Sequence, residues 1–173
     1  LNLFQECYPL DLSLCKDCGH MQLVDVLGPE VLYGHYTYVT SSSLGLVEHF
    51  RNLTEALLEK VKPAEGSMVI DIGSNDGSLL KFFKVKGMKV LGVDPAREIA
   101  KKATQSGVKT IPGYFTKQLA EKIRKEEGPA AIITANNVFA HADNLADIAE
   151  GVRTLLAPHG IFVFEVSYLV HII

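Results

Sequence analysis

Val69-Ile70-Asp71-Ile72-Gly73-Ser74-Asn75-Asp76-Gly77-Ser78 is the stretch on which the reading of this chain turns. A short apolar run ends in an acid and breaks into glycine, serine, asparagine and aspartate. Leu79, Leu80 and Phe83 then open a helical pattern. The sequence reads as strand, glycine loop, helix. Such a loop brings backbone N–H groups and a helix N-terminus to a ligand, and Gly73 and Gly77 are expected to keep Cβ atoms out of its way. Turns of this kind lie at the carboxyl end of the first strand of doubly wound sheets, where nucleotide-like cofactors bind. The plainer alternative is an ordinary strand-to-helix turn with a polar tip.

Working outward, strands and helices alternate. Strand Met68–Ile72 leads into a helix from Gly77 to about Lys86, and strand Lys89–Val93 ends at Asp94-Pro95, with Pro95 placed to start the next helix. Ile99, Ala100 and Ala103 face inward and Gly107 closes that helix. A short strand, Lys109–Ile111, precedes Pro112-Gly113-Tyr114-Phe115, and Thr116 caps a helix to about Lys125. Strand Ala130–Ala135 follows. Asp143 or Asn144 caps a helix carrying Leu145, Ile148, Val152 and Leu155, ended by Pro158 and Gly160, and strand Ile161–Val166 completes the set. This alternation predicts an α/β fold with a parallel sheet covered on both faces.

Upstream, Ser41, Ser42 and Ser43 are placed to cap a helix from Leu44 to about Lys62, on which Val47, Phe50, Leu53, Leu57 and Val61 form one face. Before the serines stand Tyr33, Tyr36 and Tyr38. They either pack between an N-terminal unit and the main domain or line a substrate pocket or lid. The N-terminal unit, residues 1–30, has Cys15-Lys16-Asp17-Cys18-Gly19-His20 between two short runs, Leu10–Leu14 and Met21–Val26. Cys-x-x-Cys followed by glycine has the shape of a zinc knuckle, which points two thiolates at one ion. A structural zinc site takes four ligands, and only Cys7 and His20 are local candidates to complete this pair. Free thiols are the alternative; a redox dithiol is disfavoured because that motif usually opens a helix.

Two acids and one loop carry the candidate chemistry. Asp94 ends the second strand, where an acid can accept both ribose hydroxyls of an adenosine; a plain helix N-cap is the competing role. Asn136-Asn137-Val138-Phe139-Ala140-His141-Ala142-Asp143 follows the fourth strand and faces the ligand crevice. Its amides can hold an adenine edge or a substrate carbonyl, and His141 can donate to a developing enolate oxygen or act as a base. Glu165 is a weaker candidate for substrate contact. His35, His49, His159 and His171 show no partner in sequence and are read as surface or loop residues.

Composition bounds the rest. At 173 residues the chain fits a core domain with a small appendage, and 47% hydrophobic against 21% charged residues allows a packed core rather than disorder. A formal net charge of -3 gives no support to a nucleic-acid surface. No apolar run approaches the roughly 20 residues of a membrane span. Three cysteines are too few for a disulfide framework, so with no export signal visible a reducing cytoplasm is expected. The start at Leu1 and the stop in an apolar tail at Ile173 look like cuts through a longer protein.

The loop lacks the second glycine of the dinucleotide fingerprint, because Asn75 stands there, and no Gly-Lys-Ser/Thr follows to make a phosphate loop. Asp71-Ile72-Gly73-Ser74-Asn75-Asp76-Gly77 instead resembles the first motif of class I S-adenosylmethionine-dependent methyltransferases. Taken with Tyr8-Pro9-Leu10 through Cys15-x-x-Cys18-Gly19 and Gln22-Leu23, with Tyr36-x-Tyr38-x-x-Ser41-Ser42-Ser43, and with Asn136-Asn137-Val138-Phe139-Ala140-His141, the chain resembles the sugar C-methyltransferases that act on nucleotide-linked deoxyketosugars. That resemblance implies a Rossmann-like methyltransferase core over 67–173, a linking segment over 31–66 and a partial zinc-knuckle unit over 1–30. It implies S-adenosylmethionine and zinc as cofactors and a nucleotide-linked sugar as substrate, and it leaves oligomeric state open. It assigns Asp71, Gly73, Ser74, Asn75, Gly77, Asp94, Asn136 and Asn137 to the cofactor, His141 and Tyr36 to catalysis, and Cys15 and Cys18 to metal. The family's upstream Cys-x-x-Cys pair, its Glu-His pair with the expected catalytic base, its last sheet strands and its C-terminal domain are not found in these residues. Two other classes stay open: a nicotinamide-dependent Rossmann oxidoreductase, and a non-catalytic zinc-ribbon module on a methyltransferase-like scaffold.

Overall fold

The computed structural model describes residues 7–34 and 36–167. The expectations for His35, His171 and both chain ends lie outside them.

The apolar alternation of the central strand sets the architecture. In β3 (Met68–Ile72) every residue is buried; Met68, Ile70 and Ile72 face one core cluster and Val69 the other. Strands β4 (Lys89–Asp94), β5 (Thr110–Pro112), β6 (Ala130–Asn136) and β7 (Leu156–Glu165) join β3 in a sheet of order β5-β4-β3-β6-β7, parallel throughout. Helices α5 (Lys117–Glu127) and α6 (Leu145–Leu155) cover the first face with Ala120, Ile123, Ile148, Val152 and Leu155. Helices α2 (Leu44–Val61) and α3 (Ser78–Val85) cover the second with Phe50, Leu57, Leu79, Leu80 and Phe83. Helix α4 (Arg97–Gln105) joins β4 to β5. The chain turns outward in opposite directions from β3 and β6, so the crevice between their carboxyl ends is the topological switch point.

In and around the sheet, three departures from the sequence reading have a local reason. Helix α4 starts at Arg97 rather than Pro95, because the Asp94 carboxylate accepts the Ala96 N–H at 2.8 Å and holds Ala96 extended as N-cap. Strand β7 begins at Leu156, five residues early. Leu156 pairs with Ala130 and Ile161 with Ile132, so the Pro158–Gly160 turn is a bulge inside the strand, with His159 left-handed at φ 66°. The serines do not cap α2 with side chains; residues 40–42 form a 3₁₀ turn and Ser43 holds the N-cap position without a side-chain bond. The cap expected at Thr116 forms, accepting from the Leu119 N–H, and of the two candidates for the later helix Asn144 rather than Asp143 is the cap, accepting from the Asp147 N–H.

Upstream, β1 (Leu12–Leu14) and β2 (Met21–Leu23) pair antiparallel as a small hairpin, followed by a one-turn helix α1 (Pro29–Tyr33) that periodicity did not reveal. Among the described residues no helix is long and apolar enough to cross a membrane.

Candidate functional site

A cavity of about 460 Å³ opens at the switch point, walled by the loops after β3, β4 and β6 and by the tyrosine segment. The loop after β3 is a run of left-handed turns, with φ of 72° at Gly73, 49° at Asn75 and 74° at Gly77. Glycine suits the first and last. The reason is partly packing rather than ligand access. A Cβ on Gly73 would overlap the Val138 side chain, and one on Gly77 would stand 2.9 Å from Val108. Gly73 is therefore what lets the β3 and β6 loops close on each other. In β4, a Cβ on Gly92 would overlap the Ser74 hydroxyl, so that glycine makes room for the loop from below.

Asp94 buttresses the loop from the next strand. Its Oδ2 accepts the Asn75 N–H at 2.7 Å and its Oδ1 the Ala96 N–H. Burial raises its pKa above the ordinary carboxylate value, and these two N–H groups work the other way. Asp94 is therefore not the helix N-cap, a position Ala96 holds; its carboxylate fixes the Ala96 peptide and borders the cavity. Asp71 lies deeper. The Thr134 hydroxyl donates to its Oδ1 at 2.7 Å. Burial, opposed by that bond and reinforced by Asp94, pushes its pKa up to about 7. A ligand cation at this acid would favour its ionised form.

The tyrosine segment lies along the cavity. Tyr33, Tyr36 and Tyr38 all contribute to its wall, with ring centroids 5.9 Å apart for Tyr33 and Tyr36 and 6.3 Å for Tyr36 and Tyr38. This matches the pocket-lining alternative for these rings. The segment is tied to the glycine loop by side chains. Asn75 Oδ1 accepts the Thr40 N–H at 2.9 Å, Asn75 Nδ2 donates to the Tyr38 carbonyl at 2.9 Å, and Asp76 Oδ2 accepts the Ser41 N–H at 3.0 Å. Burial tends to raise the Asp76 pKa, but bonds from Ser78 and Ser41 outweigh it and hold the carboxyl below its ordinary value.

The loop after β6 is built differently. Asn136 ends the strand with both side-chain polar atoms buried and without a hydrogen-bond partner. Such atoms mark a place where a ligand or water completes the bonding. Asn137 is left-handed at φ 55°; its N–H donates to the Glu165 carbonyl at 2.7 Å and its Nδ2 to Glu165 Oε1 at 3.3 Å. Glu165 Oε2 in turn lies 2.7 Å from His49 Nε2 on α2. Asn136, Asn137 and His141 all border the cavity, and His141 is exposed at the end of a one-turn 3₁₀ helix.

Sequence reasoning missed His49, whose partner lies 116 residues away. It also missed Thr134 as the partner of Asp71, although a threonine at the buried carboxyl end of a strand was a signal. Tyr114 and Phe115 also border the cavity. They sit at the carboxyl end of β5, and that placement was legible.

The Cys-x-x-Cys turn forms as a hairpin tip. Cys15 N–H donates to the His20 carbonyl at 2.8 Å and Gly19 N–H to the Cys15 carbonyl at 2.9 Å, with Gly19 left-handed. Backbone N–H groups of Cys18 and Asp17 hold the Cys15 thiol below its ordinary pKa. The turn thus favours thiolate, but Cys7 and His20 do not gather with the pair: among the described residues no cluster of three or more His, Cys, Asp or Glu side chains is arranged to hold a metal ion. The donors present supply half of a tetrahedral site.

A doubly wound parallel sheet, a glycine loop after its first strand and an acid after its second define a nucleoside-cofactor fold. Residues 46–171 match the family model described as a methyltransferase domain, and the chain belongs to that family. It is 40% identical over 166 residues to the C-methyltransferase NovU of Streptomyces niveus, an alignment covering 96% of this chain and 40% of that protein. The chain thus spans about 40% of the length of that curated relative. Among solved structures, the PH0226 protein of Pyrococcus horikoshii superposes with a TM-score of 0.63 at 22% identity, covering 79% of this chain and 61% of the other. A SAM-dependent methyltransferase of Thiobacillus denitrificans in complex with S-adenosyl-L-homocysteine superposes with a TM-score of 0.52 at 20% identity, covering 68% and 47%. At these identities the two structures speak for the fold.

Proposed function

We propose that this chain forms the cofactor-binding core of an S-adenosylmethionine-dependent C-methyltransferase whose substrate is a nucleotide-linked deoxyketosugar. The observation that carries the cofactor is the pairing of Asp94 and Asp71 with the unpartnered buried amide of Asn136 around one cavity. The name of the relative from Streptomyces niveus supports transfer to carbon. Asn75 keeps a side chain where a dinucleotide loop needs glycine, and nothing in the site favours the nicotinamide alternative.

The residues fit the cofactor's chemistry. Asp94 borders the place for ribose hydroxyls, Asp71 suits an ammonium, and the Asn136 amide offers both a donor and an acceptor to an adenine or amino-acid edge. Bound there, the cofactor supplies an electrophilic methyl group on a sulfonium. Tyr36 and His141, which both line the cavity, would hold and polarise the keto-sugar, their donors stabilising the enolate oxygen that forms when the adjacent carbon loses its proton. No described residue is assigned as the base that takes this proton. A zinc role for Cys15 and Cys18 needs two ligands more than the described residues bring to them.

Calorimetric titration with S-adenosylhomocysteine, with NAD in parallel, tests the cofactor. Methyl transfer to a nucleotide-linked deoxyketosugar by the protein at its full natural length tests the substrate. Binding of NAD alone, or full-length protein that binds S-adenosylhomocysteine but methylates no keto-sugar, would sink the respective half of the proposal. Zinc analysis of the full-length protein decides the metal.

A further inference from the structure

The loop after β3 has one feature that holding a cofactor does not explain. Asn75 is only 9% exposed and left-handed, and both ends of its side chain reach the backbone of residues 38–40. Its backbone N–H is held by the Asp94 carboxylate. The next residue, Asp76, takes the Ser41 N–H. A continuous chain of hydrogen bonds therefore runs from the acid beside the ribose position, through Asn75, to the strap that carries Tyr36 and Tyr38. Residues 36–39 belong to no helix or strand, so these side-chain bonds stand in for the ladder that the strap lacks.

We propose that Asn75 and Asp76 are positioning residues that fasten the tyrosine strap to the cofactor loop, so that filling the cofactor site stiffens the wall against which the second substrate binds. The proposal rests on the cofactor and substrate reading above. A ligand that immobilises Asp94 and the Asn75 peptide lowers the freedom left to the strap. By linkage, the second substrate then binds the loaded protein more tightly than the empty one. Asn75 acts through Tyr36 and Tyr38. A glycine at this position would accept the φ of 49° without strain and would simply release the strap.

Hydrogen exchange read by mass spectrometry on the full-length protein, with S-adenosylhomocysteine as probe, tests this. Segment 36–43 reports the strap and segment 68–72 reports global stability. In the wild type the probe is expected to slow exchange of 36–43 about fivefold or more beyond any change in 68–72. In Asn75→Gly the strap is expected to exchange about tenfold faster without ligand and to stop responding to the probe, even at probe concentrations that saturate the variant. Exchange in 68–72 shows whether that variant is folded, and the wild-type arm stands without it. Bound probe with an unmoved strap in the wild type overturns the coupling and leaves the cofactor reading intact. An Asn75→Gly strap that still responds at saturating probe, or one that stays as protected as in the wild type, overturns the role of Asn75. A wild type that binds no probe overturns the cofactor reading and the coupling with it.

Discussion

The loops after β3 and after β6 face each other across one cavity and are opposite in construction. In the first, the Asn75 and Asp76 side chains and the backbone of the turn have partners before any ligand arrives: Gly73 and Ser74 N–H groups on the Val93 carbonyl, Asn75 on Asp94, Thr40 and Tyr38, and Asp76 on Ser41 and Ser78. Only the Ser74 hydroxyl is buried without one. In the second, Asn136 holds a buried amide with no partner at either end, and His141 stands exposed. The first loop is a preformed cradle; the second keeps its bonding capacity for what enters. Substitutions in the first should therefore cost stability as well as binding, and those in the second binding alone.

The largest effect is expected at the contact between the loops. Gly73→Ala puts a methyl group into Val138 and an alanine at φ 72°, and is expected to destabilise by about 2–4 kcal/mol, as overpacking and a left-handed residue combine. Val138→Ala should recover the steric part, so chemical denaturation of both single variants and the double variant gives a coupling of opposite sign to the Gly73→Ala loss. Strict additivity would break the argument that Gly73 exists for loop closure.

Asp71 sharpens the comparison through pH. Its folded-state pKa is about 7, above the roughly 3.9 of an unfolded chain. The folded state therefore resists ionisation. Its contribution is fully favourable below pH ~4 and is lost as pH rises to about 7, each pH step of one across that interval removing about 1.4 kcal/mol. Asp94, also raised, adds to the same slope. Asp71→Asn has no such charge to desolvate. Its stability at pH 8 relative to pH 4 is expected to exceed the wild type's by a few kcal/mol, a difference from which any fixed cost of the new amide cancels. Equal pH profiles from urea titrations would show that Asp71 is solvated in the folded protein.

For Asn136 the expectation separates the two quantities. Asn136→Ala removes atoms that have no partner in the ligand-free protein, so stability should hold or rise by about 1 kcal/mol, since an unsatisfied buried amide is itself a cost. Affinity for S-adenosylhomocysteine should fall about tenfold, a loss of about 1.4 kcal/mol. A variant that loses stability and keeps affinity would place Asn136 with the preformed half.

How much of this was legible beforehand follows from range. The strands of the sheet and the caps at Thr116 and Asn144 were readable because apolar runs and capping side chains act within a few residues. Asp94 and Asn136 were readable as cavity residues because the carboxyl ends of parallel strands share one crevice, whereas Tyr36 lies on no strand and its sequence context left packing and pocket lining both open. What escaped depends on distant partners. Nothing near Gly73 in sequence announces Val138, and nothing near Asn75 announces Tyr38 and Thr40, so a glycine and an asparagine assigned to a ligand prove to serve packing and the strap as well. The early start of β7 escaped because Pro158 and Gly160 signal a turn equally well whether it ends an element or bulges within one.

The smallest effect is expected at His49 and Glu165, which stitch α2 to the end of β7 behind the second loop. The two side chains are 45% and 40% exposed, so solvent screens the pair, and exposed pairs contribute about 0.2–1 kcal/mol. His49→Ala should therefore barely move stability. Glu165 also receives the Asn137 amide at 3.3 Å, and Asn137 lies next to Asn136. Glu165→Gln keeps the shape while weakening the hold on both neighbours. If the second loop is the adaptable half, Glu165→Gln should lower S-adenosylhomocysteine affinity by no more than about threefold, under about 1 kcal/mol, with unfolding midpoints shifted less still. A loss as large as that of Asn136→Ala would mean that the loop is held as firmly as the glycine cradle opposite, and the contrast between the two halves would reduce to the single unpaired amide.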